Sequence, residues 1–200
     1  MRDRRSLQAM LFDLDGVLRC YAPNVHVPIE ARFGLAPGTL PACAFHPETA
    51  VPAVRGHITR AQWTQRAGKR AGSVPAMRAF LAPGGQVVPA VLDRVREVRA
   101  AGRTVGLLTN ATDTLPEELR LLGLEGELDV VFNSSVIGAM KPEAPIYEHG
   151  TRVLGLPASS IGFTDDQGTH VAGARRSGMQ ATRFRGAGHL RRWLERRLGD

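Results

Sequence analysis

The chain has 200 residues, 43% of them hydrophobic, and a formal net charge of +7. That length suits one domain, or one domain with a modest insertion, with ample material for a core. Its longest apolar runs, such as 105–108 and 130–132, are far too short to cross a bilayer. The basic N-terminus (Arg2, Arg4, Arg5) is followed by a short apolar stretch broken by Asp13 and Asp15, with no small-residue cleavage site, so it does not read as a secretory leader. Cys20 and Cys43 form neither a disulfide framework nor a zinc site, and free thiols suit a reducing compartment. A cytoplasmic protein, bound to neither membrane nor nucleic acid, is expected. The arginines are scattered along the chain; the tail cluster Arg191, Arg192, Arg196 and Arg197 has helical spacing around Leu190, Trp193, Leu194 and Leu198 and reads as the solvated face of an amphipathic helix.

In chain order, residues 7–13 come first, an apolar run that reads as a buried strand and ends in Asp13-Leu14-Asp15-Gly16. Ionised carboxylates at the mouth of such a strand require a cation or a hydrogen-bonding network. Strand alternation would send Asp13 and Asp15 to one side, with Leu14 facing away. Residues 19–86 break the pattern that follows: they are rich in proline and glycine, show no strand, and contain one strong helical pattern at 58–70, with Trp63 on its packed side. This segment reads as a small helical cap inserted beside the mouth of the first strand, dividing the chain into a core of 1–18 and 87–200 and a cap of 19–86.

From there strands and helices alternate. Strands are expected at 103–109, 128–133, 160–165 and 181–184, and helices at 88–101, 115–122, 142–154, 169–177 and the tail. Gly102, Gly123, Gly155 and Gly178 follow the helical stretches where a C-terminal cap needs one. This repetition predicts an α/β fold, a Rossmann-like doubly wound parallel sheet, whose ligands bind at the carboxyl ends of its strands.

Four polar clusters fall at or near those ends: Asp13 and Asp15, Thr109 and Asn110, Lys141, and Asp165 and Asp166. Lysine occurs only twice, at 69 and 141, among 26 basic side chains, so Lys141 marks a place that needs a compact ammonium and not a planar fork. Four carboxylates, a hydroxyl and an ammonium at one sheet edge describe a hard-metal site for phosphoryl transfer. Magnesium takes a few carboxylate oxygens and the substrate's phosphate. One carboxylate of the first pair can attack phosphorus, while its neighbour two residues on acts as general acid and then base. Thr109, Asn110 and Lys141 can hold the remaining phosphate oxygens. None of the six histidines has metal-ligand spacing.

In these motifs the chain resembles the haloacid dehalogenase-like superfamily. Asp13-Leu14-Asp15-Gly16-Val17 is similar to its first motif, Thr109-Asn110 to its second, Lys141-Pro142 to its third and Asp165-Asp166 to its fourth, within 7–185. The resemblance implies bound Mg2+ and a helical cap after the first motif. It implies Asp13 as nucleophile, and Asp15 as general acid/base that lends its backbone carbonyl to the metal. It also implies Thr109 and Lys141 as phosphate ligands, Lys141 orienting the acidic pair as well, and Asp166 as direct metal ligand, with Asp165 acting through water or through Lys141. Dehalogenases of the superfamily lack the second aspartate of the first motif, so Asp15 favours phosphatase chemistry on a small phosphorylated metabolite. Gly56-His57-Ile58-Thr59 is similar to small-molecule phosphatases of the group, some acting on sugar phosphates. The chain departs at Gln167 and His170, where relatives carry serine or asparagine; His170 is placed to reach the site.

Three alternatives stay open. A phosphomutase or phosphotransferase shares every catalytic residue. A signalling receiver domain uses similar groups in another order, and an idle binding protein could keep the fold. The determinants of substrate choice are expected within 19–86, where Arg55, Arg60 and Arg66 either engage an anionic group or are solvated. The sequence carries no signal of oligomeric state.

Overall fold

The computed structural model describes residues 6–198. In chain order its strands are β1 (Ala9–Phe12), β2 (Arg19–Cys20), β3 (Gln86–Val87), β4 (Thr104–Thr109), β5 (Val130–Asn133), β6 (Ile161–Asp165) and β7 (Gln180–Arg183). Its helices are α1 (His26–Phe33), α2 (Thr39–Ala44), α3 (Pro47–Val54), α4 (Arg60–Ala71), α5 (Val74–Phe80), α6 (Pro89–Ala100), α7 (Leu115–Leu121), α8 (Ser134–Ile137), α9 (Ala144–Leu154), α10 (Gly168–Arg176) and α11 (Ala187–Leu198), with a 3-10 turn at Ala158–Ser160.

Five strands form one parallel sheet in the order β5-β4-β1-β6-β7. Strand β1 is central, which explains why all four of its residues are apolar and buried: neighbours cover both edges and helices cover both faces. Met10 and Phe12 face one layer, packed with Val91, Val95 and Val98 of α6, Leu115 and Leu119 of α7, and Leu190, Trp193 and Leu194 of α11. Ala9 and Leu11 face the other, against Ile146 and Tyr147 of α9 and Val171 and Ala174 of α10. This period-two division makes a three-layer doubly wound α/β fold, as expected. The chain runs outward from β1 through β4 to β5, then crosses back to β6 and β7. The reversal of strand order therefore falls at β1, and a crevice opens there at the carboxyl ends.

Between β1 and β4 the helices α1 to α5 gather around a separate apolar cluster that includes Leu40, Ala44, Ala53, Trp63, Ala67, Met77 and Leu81. Trp63 is core, its indole Nε1 donating to Ala44 O at 2.9 Å. Two expectations for this stretch change. Besides α4, it holds four shorter helices that periodicity could not reveal because each spans only two turns or so; several of the prolines that made it look irregular sit in first helical turns, as in α3 and α5. It also begins and ends in short strands, β2 and β3, which pair antiparallel where the chain leaves and re-enters the sheet layer. Helix α4 starts two residues later than its pattern, because Thr59 and Gln62 form a reciprocal capping box. The sequence reading also missed the single-turn α8 and the 3-10 turn. Among the described residues, no helix is long and apolar enough to cross a membrane.

The inserted helices meet the sheet unit at Gly56, where φ is +72° and an added Cβ would lie 2.0 Å from Ser135 O, a backbone atom that cannot turn aside. Gly56→Ala therefore combines left-handed strain with a clash, and we expect a loss of about 2 kcal/mol or more on urea unfolding; a loss within error of zero would mean that this contact is loose in solution.

Candidate active site

The end of β1 carries Asp13 into the centre of the carboxyl edge. Its backbone N–H still continues the ladder, donating to Thr164 O at 3.0 Å. Its side chain is 7% exposed, and Oδ1 accepts from Leu14 N at 2.8 Å and lies 2.7 Å from Lys141 Nζ. Both contacts fall on Oδ1, leaving Oδ2 without a donor among the described residues. Burial pushes the Asp13 carboxyl up to about 6, Lys141 opposing that shift and Asp165 adding to it.

Lys141 is 1% exposed and bridges two acids, donating to Asp165 Oδ2 at 2.6 Å as well as facing Asp13. Asp165, the last residue of β6, is fully buried. Its Oδ1 accepts from Gln167 N at 2.8 Å, and His170 Nδ1 of α10 lies 3.1 and 3.0 Å from its two oxygens. Burial works against its ionisation, yet His170 and Lys141 outweigh that and hold Asp165 well below the usual carboxylate range. Asn110 grips Lys141 by its backbone: its side chain accepts from Lys141 N at 2.8 Å and donates to Lys141 O at 3.0 Å. Thr109 ends β4 in register with Asn133 and is buried beside this group.

Asp166 differs from its neighbour. Its Oδ1 is buried and has no hydrogen-bond partner, and its carboxyl is raised by burial and by the charge of Asp165. Its other oxygen rests against the turn after β1, where a Cβ on Gly16 would lie 2.7 Å from Asp166 Oδ2. Glycine is needed there twice over, because its φ is also +81°.

These features allow a test of whether a divalent cation fits. Oxygens of Asp13 and Asp165 and a nitrogen of His170 lie within 4.8 Å of one another. The middle of that group, however, already holds the Lys141 ammonium, and His170 serves as a hydrogen-bond partner of Asp165, so a second cation there would be repelled. Among the described residues, Asp13 Oδ2 and the buried Asp166 Oδ1 accept no hydrogen bond from an N–H donor. A buried carboxylate oxygen without a donor suits a hard cation, and both of these acceptors are oxygens, as magnesium prefers.

The structure thus brings Asp13, Lys141 and Asp165 into contact, with Asn110, Thr109 and Asp166 around them. One expectation changes. Asp15 does not share a strand face with Asp13, because β1 ends at Phe12 and Asp15 lies in the following turn. There it is paired with Arg19 instead of Lys141. The Asn110 side chain makes one hydrogen bond with each end of its amide to the Lys141 backbone. Of the arginines in the inserted segment, Arg55 pairs with Glu143, and Arg60 approaches Glu118 at 3.7 Å; neither is a free surface charge. Arg66 is exposed. His170, the only histidine flagged from the sequence, does reach the site. Arg19 and Glu118 escaped notice: the first stands four residues beyond Asp15, and nothing in the sequence joins it to a helix 99 residues later.

A family model described as haloacid dehalogenase-like hydrolase matches residues 7–178. The chain belongs to that family. It is 34% identical over 117 residues, covering 58% of this chain and 54% of the relative, to Phosphatase MT3486 of Mycobacterium tuberculosis. It is 30% identical over 93 residues, 46% of this chain and 42% of the relative, to haloacetate dehalogenase H-2 of a Moraxella species. It therefore spans about half the length of these relatives. Among solved structures, the fold is similar to that of the HAD family enzyme bt-2542 of Bacteroides thetaiotaomicron, crystallised with magnesium and inorganic phosphate. The TM-score is 0.76 and the identity 20%, over 92% of this chain and 99% of that one.

Because Lys141 separates two buried carboxylates, Lys141→Met should destabilise the protein by about 3–5 kcal/mol. Lys141→Met combined with Asp165→Asn should recover part of that loss. Chemical denaturation of the three proteins checks this; a single variant as stable as wild type would show that the ammonium is not holding the acids together.

Proposed function

We propose that this haloacid dehalogenase-like hydrolase is a magnesium-dependent phosphatase of small organic phosphates, working through a phosphorylated Asp13. What supports this reading is the Lys141 ammonium shared by Asp13 Oδ1 and Asp165, which leaves Asp13 Oδ2 without a protein donor, together with the unpartnered buried Asp166 Oδ1. On this reading Asp13 is the nucleophile, Lys141 the phosphate-binding cation and Asp166 a metal ligand, all at the carboxyl edge of the sheet.

Asp13 Oδ2 attacks phosphorus, and the bond to the ester oxygen breaks as that oxygen takes a proton from Asp15. In the second half, water attacks the same phosphorus, Asp15 takes its proton, and the bond to Asp13 breaks to release inorganic phosphate. Lys141 faces the phosphoryl oxygens from the side of Asp13 Oδ1, with Thr109 at the neighbouring strand end, and both stabilise charge that develops in the transition state. Asn110 acts by holding the Lys141 backbone. Magnesium, held by Asp13, Asp166 and the Asp15 carbonyl with Asp165 behind them, would supply charge neutralisation for the phosphate. The helices α1 to α5 serve as the cap that frames the leaving group. Asp15 favours this chemistry over dehalogenation, because displacement of halide by a carboxylate needs no acid to protonate the leaving group.

The test is a panel of phosphorylated metabolites with magnesium or with a chelator, scored for phosphate release, isomer formation and, with haloacids, halide release. We expect phosphate release that chelator abolishes, no detectable turnover in Asp13→Asn, and a fall of about 10²–10⁴-fold in Asp15→Asn. Halide release that persists in chelator, or isomer formation without free phosphate, would replace this reading.

A further inference from the structure

Asp15 does not stand free at the mouth of the site. Arg19 Nε donates to its Oδ1 at 2.6 Å and Nη2 to its Oδ2 at 3.0 Å, while the third arm, Nη1, donates to Glu118 Oε2 at 2.6 Å. The burial is one-sided: the side chains of Arg19 and Glu118 are 5% and 7% exposed, that of Asp15 51%. An ordinary surface ion pair has neither this geometry nor a buried root.

Several neighbours remove freedom from the fork. Glu118 also accepts from Thr114 Oγ1 at 2.8 Å. Burial opposes its ionisation, but the bonds from Arg19 and Thr114 prevail and keep it below the usual carboxylate range. Gly85, at φ +81°, leaves room for the Arg19 stem, since a Cβ there would lie 2.9 Å from Arg19 Cγ and equally close to Cys20 O. The Tyr21 ring lies 5.2 Å from the guanidinium carbon. Arg60 of α4 approaches the far oxygen of Glu118, and its backbone N–H donates to Asp113 Oδ1 at 2.6 Å. Strand β2, helix α7 and helix α4 all meet at the group that holds Asp15.

We propose that Arg19 is a positioning residue for Asp15, fixing the plane and reach of the carboxylate that trades protons with the leaving oxygen and with water. This rests on the phosphatase reading above. A bidentate guanidinium sets both the position and the rotation of a carboxylate, which an ammonium cannot do. The shorter bond at Oδ1 is the anchor; the longer one at Oδ2 is given up when that oxygen carries the proton. In the first half-reaction the Asp13–phosphorus bond forms, the ester bond breaks, and the proton passes from Asp15 to the departing oxygen. In the second, the Asp13–phosphorus bond breaks, water's oxygen bonds phosphorus, and its proton returns to Asp15. Arg19 keeps its own protons and touches no reacting atom.

The test uses two esters. A simple alkyl phosphate has a leaving oxygen that must be protonated; p-nitrophenyl phosphate releases a phenolate that need not be. The value of kcat/KM reports phosphorylation of Asp13 for each. The variants are Arg19→Met, and Arg19→Met with Glu118→Gln so that no carboxylate stays buried without its partner, each also made with Asp15→Asn. Circular dichroism and thermal midpoints check folding. We expect kcat/KM for the alkyl ester to fall about 10–10²-fold, the nitrophenyl ester to change far less, and no further loss when Arg19 is removed from Asp15→Asn. Equal losses on both esters, or a loss that adds to Asp15→Asn, would make Arg19 a structural hinge contact and overturn the proposal while leaving the phosphatase intact. Wild-type protein that releases phosphate from neither ester would overturn both.

Discussion

One buried ammonium, Lys141 between Asp13 and Asp165, is the interaction on which the site depends. A sheet that ends two neighbouring central strands in acids places like charges close together in a poorly solvated crevice, and neither can ionise cheaply there. The lysine resolves this at contact distance to both. Much of the surrounding structure serves to hold that lysine. Asn110 clamps its peptide on both sides. The Phe163 ring lies 5.5 Å from Nζ. Gly173 has no side chain where α10 passes the following residue, and a Cβ there would lie 2.7 Å from Pro142 O. A chain that otherwise favours arginine uses a point charge here because a guanidinium fork could not fit between two oxygens that close.

The same interaction divides the four acids into separate jobs. Asp165 is saturated by Lys141, His170 and Gln167 N, so it serves as scaffold and as the counter-charge that keeps the ammonium in place. Asp13 shares the ammonium through one oxygen and keeps the other. Asp166 keeps one buried oxygen, Oδ1, without a hydrogen-bond partner among the described residues, which a hydrogen-bonded core rarely leaves. Asp15 is paired with Arg19 of β2, not with Lys141.

Legibility followed periodicity and local chemistry. The five strands of the sheet stood out because a doubly covered parallel strand is apolar on both faces, and glycines marked helix ends such as Gly155, which caps α9 in the left-handed conformation. The inserted helices did not, apart from α4, since segments of six to eight residues hold too few turns for a pattern to rise above their prolines and glycines. His170 was flagged only because it departs from the motif it follows; its pairing with Asp165 depends on how α10 leaves β6.

The sequence by itself determined the α/β class, the acids at the strand ends and the singular lysine, because these follow from alternation, strand length and the cost of burying charge, all local properties. Only the tertiary structure decided which acid meets which cation. Asp13 and Asp15 are two residues apart yet lie in different electrostatic neighbourhoods, because β1 stops at Phe12 and the chain turns back through Gly16 toward Arg19. Asp165 and Asp166 are adjacent yet differ as much, one saturated and one orphaned, since successive residues leaving a strand point to opposite sides. Pairings across tens of residues, such as Arg19 with Glu118, come from the docking of strand β2 on helix α7, and no short window along the chain contains both partners.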